Sequence, residues 1–188
     1  MTFRKPYLIL ASALFLVVAC HAQVSYTGGS YTQTFDTLPA SGTFTLAGNG
    51  PFALDGAPIN ASGLAGWSLV KYAGTGANAI FLVGTGTNNA GGVYSFGAAA
   101  NPDRALGSLG SGGVISRVGV AFANNSGVTI TQFTLSYTGE QWRHAGATTP
   151  NKLTFSYGVG ATDINTGAFT NVPSRRGQRS AEACFRSA

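Results

Sequence analysis

Between Gln23 and Ser174 the chain is a succession of short β-branched and aromatic runs cut by glycine-rich turns, and that pattern limits the fold more than any other feature. The runs span Tyr31 to Phe35, Gly42 to Leu46, Trp67 to Tyr72, Ala79 to Val83, Gly92 to Phe96, Arg104 to Leu109, Ile115 to Ala123, Val128 to Tyr137, Lys152 to Val159 and Ala168 to Val172. In the Ile115 run Val118, Val120 and Phe122 fall on one face, with Arg117, Gly119 and Ala121 on the other. In the Lys152 run Leu153, Phe155, Tyr157 and Val159 alternate with Lys152, Thr154, Ser156 and Gly158. Alternation with period two is the mark of a half-buried strand, and no stretch carries a helical period.

Asn124-Asn125-Ser126-Gly127 has turn composition and predicts a hairpin joining the Ile115 and Val128 strands. The phase slips inside the second strand, from even (Val128, Ile130) to odd (Phe133, Leu135, Tyr137), which predicts a β-bulge near Thr131-Gln132. The turn-rich stretches Ala73–Asn78 and Ala98–Asp103 read as loops within one domain. The expected fold is all-β: an antiparallel β-sandwich, jelly-roll-like, over 23–174 and incomplete at its C-terminal side. A domain of about 150 residues buries roughly 70% of its unfolded surface, enough for a core without disulfides.

The flanks differ from this body. Arg4 and Lys5 precede a short apolar stretch, Tyr7 to Ala19, so residues 1–22 read as a secretory signal peptide. The stretch is shorter than the ~20 residues a membrane-crossing helix needs. Cleavage after Ala22 gives a secreted or cell-surface protein. Alternatively, Val17-Val18-Ala19-Cys20 resembles a lipobox, in which Cys20 is acylated and the protein becomes a lipid-anchored outer-membrane lipoprotein. Residues 175–188 form an irregular basic tail with Arg175, Arg176, Arg179 and Arg186, of a composition that a shifted frame of GC-rich DNA encodes; a frameshift or truncation near Ser174 is expected.

Charge sharpens the contrast. Lys71, Arg104, Arg117, Arg143 and Lys152 balance Asp36, Asp55, Asp103, Glu140 and Asp163 in the body, so the net charge of +5 lies in the two ends. A basic tail of this kind can bind nucleic acid or an anionic surface, but its composition fits a shifted reading frame better, and no nucleic-acid partner is expected. A membrane partner is expected only if Cys20 is lipidated.

Catalytic patterns are sparse. His144 has no G-x-S-x-G elbow to serve and reads as a loop histidine. His144 and Cys184 alone do not make a zinc site. The four aspartates stand singly in turn-like settings, where capping by the Asx side chain is the default; clustered, they would hold a structural calcium ion, and paired, they would do glycosidase work. Gly74-Thr75-Gly76-Ala77-Asn78-Ala79 spells a loose dinucleotide pattern, but Ile80-Phe81-Leu82-Val83 after it is a strand where that pattern needs a helix. Neither a cofactor nor an enzymatic activity is expected.

The most unusual cluster is Ser136-Tyr137-Thr138-Gly139-Glu140-Gln141-Trp142-Arg143. As a binding site, Tyr137 and Trp142 would stack on sugar rings while Glu140, Gln141 and Arg143 bond hydroxyls. As structure, a Glu140–Arg143 ion pair would close the sandwich edge, with Trp142 as a core plug.

Taken in order, Thr34-Phe35-Asp36-Thr37-Leu38-Pro39, Gly66-Trp67, Tyr94-Ser95-Phe96-Gly97, Arg104-Ala105-Leu106-Gly107-Ser108-Leu109 and Gly139-Glu140-Gln141-Trp142-Arg143 resemble the N-terminal β module of large exported bacterial proteins. The resemblance covers roughly Tyr31 to Val172. It implies a jelly-roll-type sandwich of the kind that precedes lamin-tail-like, extracellular nuclease or phosphatase regions and sorting signals, and it supplies no catalytic residue. Such modules continue through further strands where this chain departs, at Ser174. The resulting expectation is a non-catalytic exported module that binds extracellular polysaccharide or cell-surface components, or displays neighbouring domains. The alternatives are the accessory fragment of a secreted hydrolase or nuclease whose catalytic domain is missing, and a purely structural envelope or adhesion unit.

Overall fold

A computed structural model describes residues 22–143, 154–161, 163–172 and 184–186, the last three as backbone. The described strands are β1 (Val24–Tyr26), β2 (Thr43–Leu46), β3 (Phe52–Ala53), β4 (Trp67–Ala73), β5 (Ala79–Gly84), β6 (Gly92–Phe96), β7 (Ala105–Leu109), β8 (Ile115–Asn124), β9 (Phe155–Tyr157), β10 (Thr170–Val172) and β11 (Cys184–Arg186), and no helix occurs among the described residues. The fold is all-β, as the alternation requires. Residues 1–21, with Cys20 and nearly all of the stretch expected to be a signal peptide, lie outside the described residues, as do His144 and most of the basic tail. No described helix is long and apolar enough to cross a membrane.

Two sheets face each other across the core. One has the order β2-β5-β6-β7; in the other, β3 and β8 flank β4. Leu46, Ala79, Phe81 and Val93 from the first meet Leu69 from the second, with Leu38, Leu54, Ile59 and Leu64 filling in from the connecting loops. Leu69, Phe81 and Val93 are wholly removed from solvent. Burying each such side chain contributes about 1.5–3 kcal/mol, and these residues account for most of the force holding the sheets together.

The pairing is mixed rather than purely antiparallel. β5 runs parallel to β6, with Phe81 opposite Val93, and the chain returns through 85–91, a connection shorter than the roughly dozen residues a parallel crossover usually takes. β8 has parallel neighbours on both edges, since Phe122 is partnered by Val24 of β1 and by Phe185 of β11. The Ala121 N–H donates to Gly66 at 3.0 Å and the Asn125 N–H to Tyr26 at 2.8 Å. N–H groups two or four residues apart point to the same edge, so β1 continues the line of β4 and β11 holds the opposite edge.

That placement accounts for the first departure from expectation. The strand predicted over Val128–Tyr137, and with it the hairpin, does not form. The turn itself is present, with Gly127 at φ 75° and the Asn124 amide donating to the Val128 carbonyl at 2.8 Å. The β8 edge that the returning strand would need is taken at Ala121–Ala123 by β11. The expected strand over Tyr31–Phe35 is also absent. Phe35 adopts φ 66°, its carbonyl accepts the Leu38 N–H at 3.0 Å, and the chain turns. Such a φ is strained for a bulky residue. It sets the Phe35 ring edge-on to Trp67, centroids 4.7 Å apart, where burial offsets the strain.

A bulge between Lys71 and Ala73 shifts the β4–β8 register. Tyr72 is turned out to solvent, 54% exposed, with the Arg117 guanidinium carbon 3.3 Å from its ring centre. Lys71 is buried, and its ammonium donates to the Asn49 amide oxygen at 3.3 Å and the Gly74 carbonyl at 3.0 Å.

Three of the sequence strings meet at one buried cation. Arg104, only 3% exposed, donates from Nε to Ser95 Oγ at 2.9 Å and from its two terminal nitrogens to the carbonyls of Ser95 (2.6 Å) and Ala98 (3.2 Å). The Ser95 hydroxyl in turn donates to the Pro39 carbonyl at 2.7 Å, and the Arg104 backbone N–H reaches the Asp36 carboxylate at 3.5 Å. A side chain on Gly97 would collide with the guanidinium, so that glycine leaves it room. Burial pulls the Arg104 pKa below its ordinary value, yet arginine stays charged in proteins, so its five donors must be met by acceptors. Arg104→Lys keeps the charge but loses the planar fork. It is expected to destabilise the fold by about 2–4 kcal/mol in denaturant titration, because bonds to a charged group contribute about 1.5–3 kcal/mol each and carbonyls are left unmet. An unchanged midpoint would remove Arg104 from this role.

Candidate functional site

Alternation along β5 and β6 sends Phe81 and Val93 inward and Ile80, Leu82, Tyr94 and Phe96 to the opposite face of the same sheet. That second face is apolar too, so something must cover it. The cover is the Glu140–Arg143 run. Tyr94 and Phe96 stack with centroids 4.7 Å apart and planes within 2°, and Trp142 stacks on Phe96 at 5.9 Å and 6°. Three rings thus form a ladder from the sheet to the outside.

Glycines make the ladder possible. Gly107 of β7 lies opposite Tyr94, and a Cβ there would come within 2.8 Å of the Phe96 ring. Gly86, at φ 90°, sits where a Cβ would collide with the Trp142 carbonyl oxygen. Backbone therefore lies against backbone, and Arg143 fastens the contact by donating to the carbonyls of Gly86 (3.3 Å) and Thr87 (3.0 Å).

The expected partnership of Glu140 with Arg143 is not formed. Glu140 instead accepts the Trp142 indole N–H at 2.7 Å, and Arg143 is engaged by the two carbonyls. Opposite charges three residues apart are natural partners on a helix, but here the chain is extended, so neighbouring side chains diverge and each takes what lies on its own side. Trp142 does act as a plug, on the outer face of the sheet rather than between the two sheets. Gln141 is exposed and its amide donates to the Arg143 carbonyl at 3.2 Å. Tyr137 is 41% exposed on the same stretch. Trp142 and Arg143 are half-buried; Glu140 is exposed. The outward offering of the run is an indole, a phenol, an amide and the hydroxyls of Ser136 and Thr138.

The aspartates take part in turns and loops. Asp163 caps its own turn, accepting the N–H groups of Asn165 (2.6 Å) and Thr166 (2.7 Å) in an Asx arrangement, as its turn setting predicts. Asp36 belongs to the Arg104 node, and the Asp103 N–H is held by the Asn101 side chain at 3.0 Å. Among the described residues no three His, Cys, Asp or Glu side chains gather in a metal-binding group. The Gly74–Ala79 loop leads into β5, the strand expected there, and binds the 112–113 backbone through the N–H groups of Thr75 and Gly76. A small recess lined by Ala22, Gly66, Trp67, Ala121, Asp163 and Ile164 has room for about one water molecule.

Sequence reasoning singled out the Trp142 run but not the residues beneath it. Tyr94 and Phe96 were visible in the Tyr94-Ser95-Phe96-Gly97 string, and their spacing of two already places them on one face. What pointed to Trp142 as their cover was absent, because the contact spans a long stretch of chain.

Comparisons with protein-family models, with curated proteins and with solved structures gave no match.

Tyr94 has a perturbed pKa. Its ring is wholly buried, its hydroxyl donates to the Ala90 carbonyl at 2.6 Å, and burial raises its pKa above the ordinary value of 10.0, with Arg143 pulling the other way. Because the folded pKa is raised, the stability it contributes is fully present below pH 10.0 and is lost as the pH climbs through the folded value. Denaturation midpoints measured across alkaline pH should fall above that point, and Tyr94→Phe should flatten this part of the profile. An identical alkaline slope in the variant would contradict the assignment.

Proposed function

We propose that this chain is a non-catalytic, exported β-sandwich module whose Tyr137–Arg143 run binds neutral extracellular polysaccharide, the surface also serving to hold the module at the cell exterior beside neighbouring domains. The observation that carries the reading is how the charges of the run are spent. Glu140 is bound to the indole N–H and Arg143 to two carbonyls, while the exposed side chains of the run include the Tyr137 phenol, the Ser136 and Thr138 hydroxyls and the Gln141 amide. That set suits a ligand that presents C–H faces to aromatic rings and hydroxyls to amides, which is the chemistry of a sugar chain, and it offers little to a polyanion. The ladder also supports the reading. Trp142 is fixed by Phe96 on one side and Glu140 on the other, so little side-chain entropy remains to be lost on binding.

Export rests on the signal-like residues 1–22, with cleavage after Ala22 or acylation of Cys20 as the two routes. The resemblance to N-terminal modules of large exported proteins supports the same placement. The non-catalytic part of the reading draws on the acids, of which Asp163, Asp36 and Glu140 each have a structural duty.

A glycan array probed with the purified chain tests the proposal. Binding to one or more neutral polysaccharides is expected. Tyr137→Ala and Gln141→Ala should each weaken it by roughly 3- to 10-fold, the size of one aromatic contact or one hydrogen bond, without lowering Tm. Failure to bind any glycan, or binding indifferent to both substitutions, would overturn it.

A further inference from the structure

The sequence contains one Asn-Gly step, Asn49-Gly50, and it lies in the connection that carries the chain from β2 in one sheet to β3 in the other. The turn is held on both sides. The Gly48 N–H donates to the Asn78 amide oxygen at 3.1 Å, and the Gly48 carbonyl accepts the Ala79 N–H at 2.8 Å, at the start of β5. On the side of β4, the Asn49 carbonyl accepts the Lys71 N–H at 2.8 Å, and the Asn49 side-chain oxygen accepts a bond from the Lys71 ammonium at 3.3 Å.

Lys71 is an unusual partner. Its side chain is buried, and its two acceptors, Asn49 Oδ1 and the Gly74 carbonyl, are both neutral. Buried lysines are rare without an opposite charge, and this one has none among the described residues. Asn49 and Gly50 are exposed, so water reaches them. The Gly50 N–H is engaged in no hydrogen bond among the described residues. Gly50 stands at φ 93°, with no Cβ to hinder the approach of its nitrogen to the neighbouring side chain.

We infer that Asn49 is a self-modifying site, at which the chain converts its own amide to a carboxylate that pairs with Lys71. The Gly50 nitrogen, its proton given to solvent base, attacks Asn49 Cγ. The new N–C bond closes a five-membered succinimide, and the side-chain amide leaves as ammonia with a proton from water. Water then opens the ring at Cγ, which breaks that N–C bond, returns a proton to the Gly50 nitrogen and leaves aspartate at position 49. The net reaction consumes one water and releases one ammonia, with nothing oxidised or reduced. Negative charge builds on Oδ1 as the ring closes, and the Lys71 ammonium is already bonded to that oxygen, so the bond strengthens where the barrier lies. The product supplies the opposite charge that the buried ammonium lacks, in the turn that links the two sheets. An isopeptide bond between Lys71 and Asn49 would also release ammonia. It needs a neutral amine and a base to take its proton, and neither residue has a carboxylate partner among the described residues.

Peptide mass spectrometry of the full chain, aged at neutral pH, tests the site. A one-dalton gain should appear in the peptide that holds Asn49. It should appear about three- to tenfold faster in the folded protein than in the same chain kept unfolded in urea, the size of one hydrogen bond that strengthens as the ring closes. Asn49→Gln should suppress the gain, and Lys71→Met should bring the folded rate down to the unfolded one. Asn49→Asp, which makes the product directly, should melt about 2–4 °C above the chain with asparagine. If Lys71→Met does not fold, the ratio of folded to unfolded rates and the melting point of Asn49→Asp still decide. A folded rate no faster than the unfolded one would overturn the site, as would an Asn49→Asp variant no more stable than the parent. Loss of ammonia without uptake of water, together with a Lys71 that trypsin no longer cleaves, would assign the reaction to an isopeptide bond and overturn it equally. The site is independent of the polysaccharide reading, and none of these outcomes bears on it.

Discussion

The fold depends on one buried guanidinium. Arg104 lies where β6, the entry to β7 and the Asp36–Pro39 turn converge, and its fork binds Ser95 and Ala98 while Ser95 binds Pro39. Removing a charge from water costs several kcal/mol, and the recovered bonds about match that cost, so Arg104 contributes more to geometry than to net stability. An apolar side chain of similar volume would pack there but would leave the Ser95 and Ala98 carbonyls unmet. With them unmet, β6 and the 97–103 loop lose their fixed relation.

The outer site inherits its geometry from this node. Ser95 points inward to the cation, so Tyr94 and Phe96 on either side of it point outward and stack. The inward bond and the outward ladder are two faces of one five-residue strand, buried along its whole length. Trp142 is then the last ring of a column that begins beside the core. The stacked column, resting on a polar anchor, holds the Trp142 ring on the outer face of the sheet.

Much of this was legible in the residues. The runs at Gly42, Trp67, Ala79, Gly92, Arg104 and Ile115 all became strands within a residue or two of where alternation placed them, because period two follows from the backbone alone. The strings Asp36–Pro39, Tyr94–Gly97 and Arg104–Leu109 were legible as strings, although their meeting at Arg104 was not. Two runs with the same alternation do not form strands, for opposite reasons. Tyr31–Phe35 is broken locally by the left-handed turn at Phe35, and Val128–Tyr137 finds its edge of β8 already occupied. Partner choice, parallel sense and the escape of Glu140 from Arg143 are set by groups far along the chain, and a local pattern does not encode them.

The most direct test of the Arg104 node is the arginine side-chain Nε–H signal in a nitrogen-15 NMR spectrum of the folded protein. A bond to Ser95 Oγ in a buried site predicts one Nε–H that is well dispersed and resists exchange with solvent, and that changes on Ser95→Ala. If every arginine Nε–H exchanges freely and none responds to Ser95→Ala, Arg104 is not the buried anchor and the account of the fold fails with it.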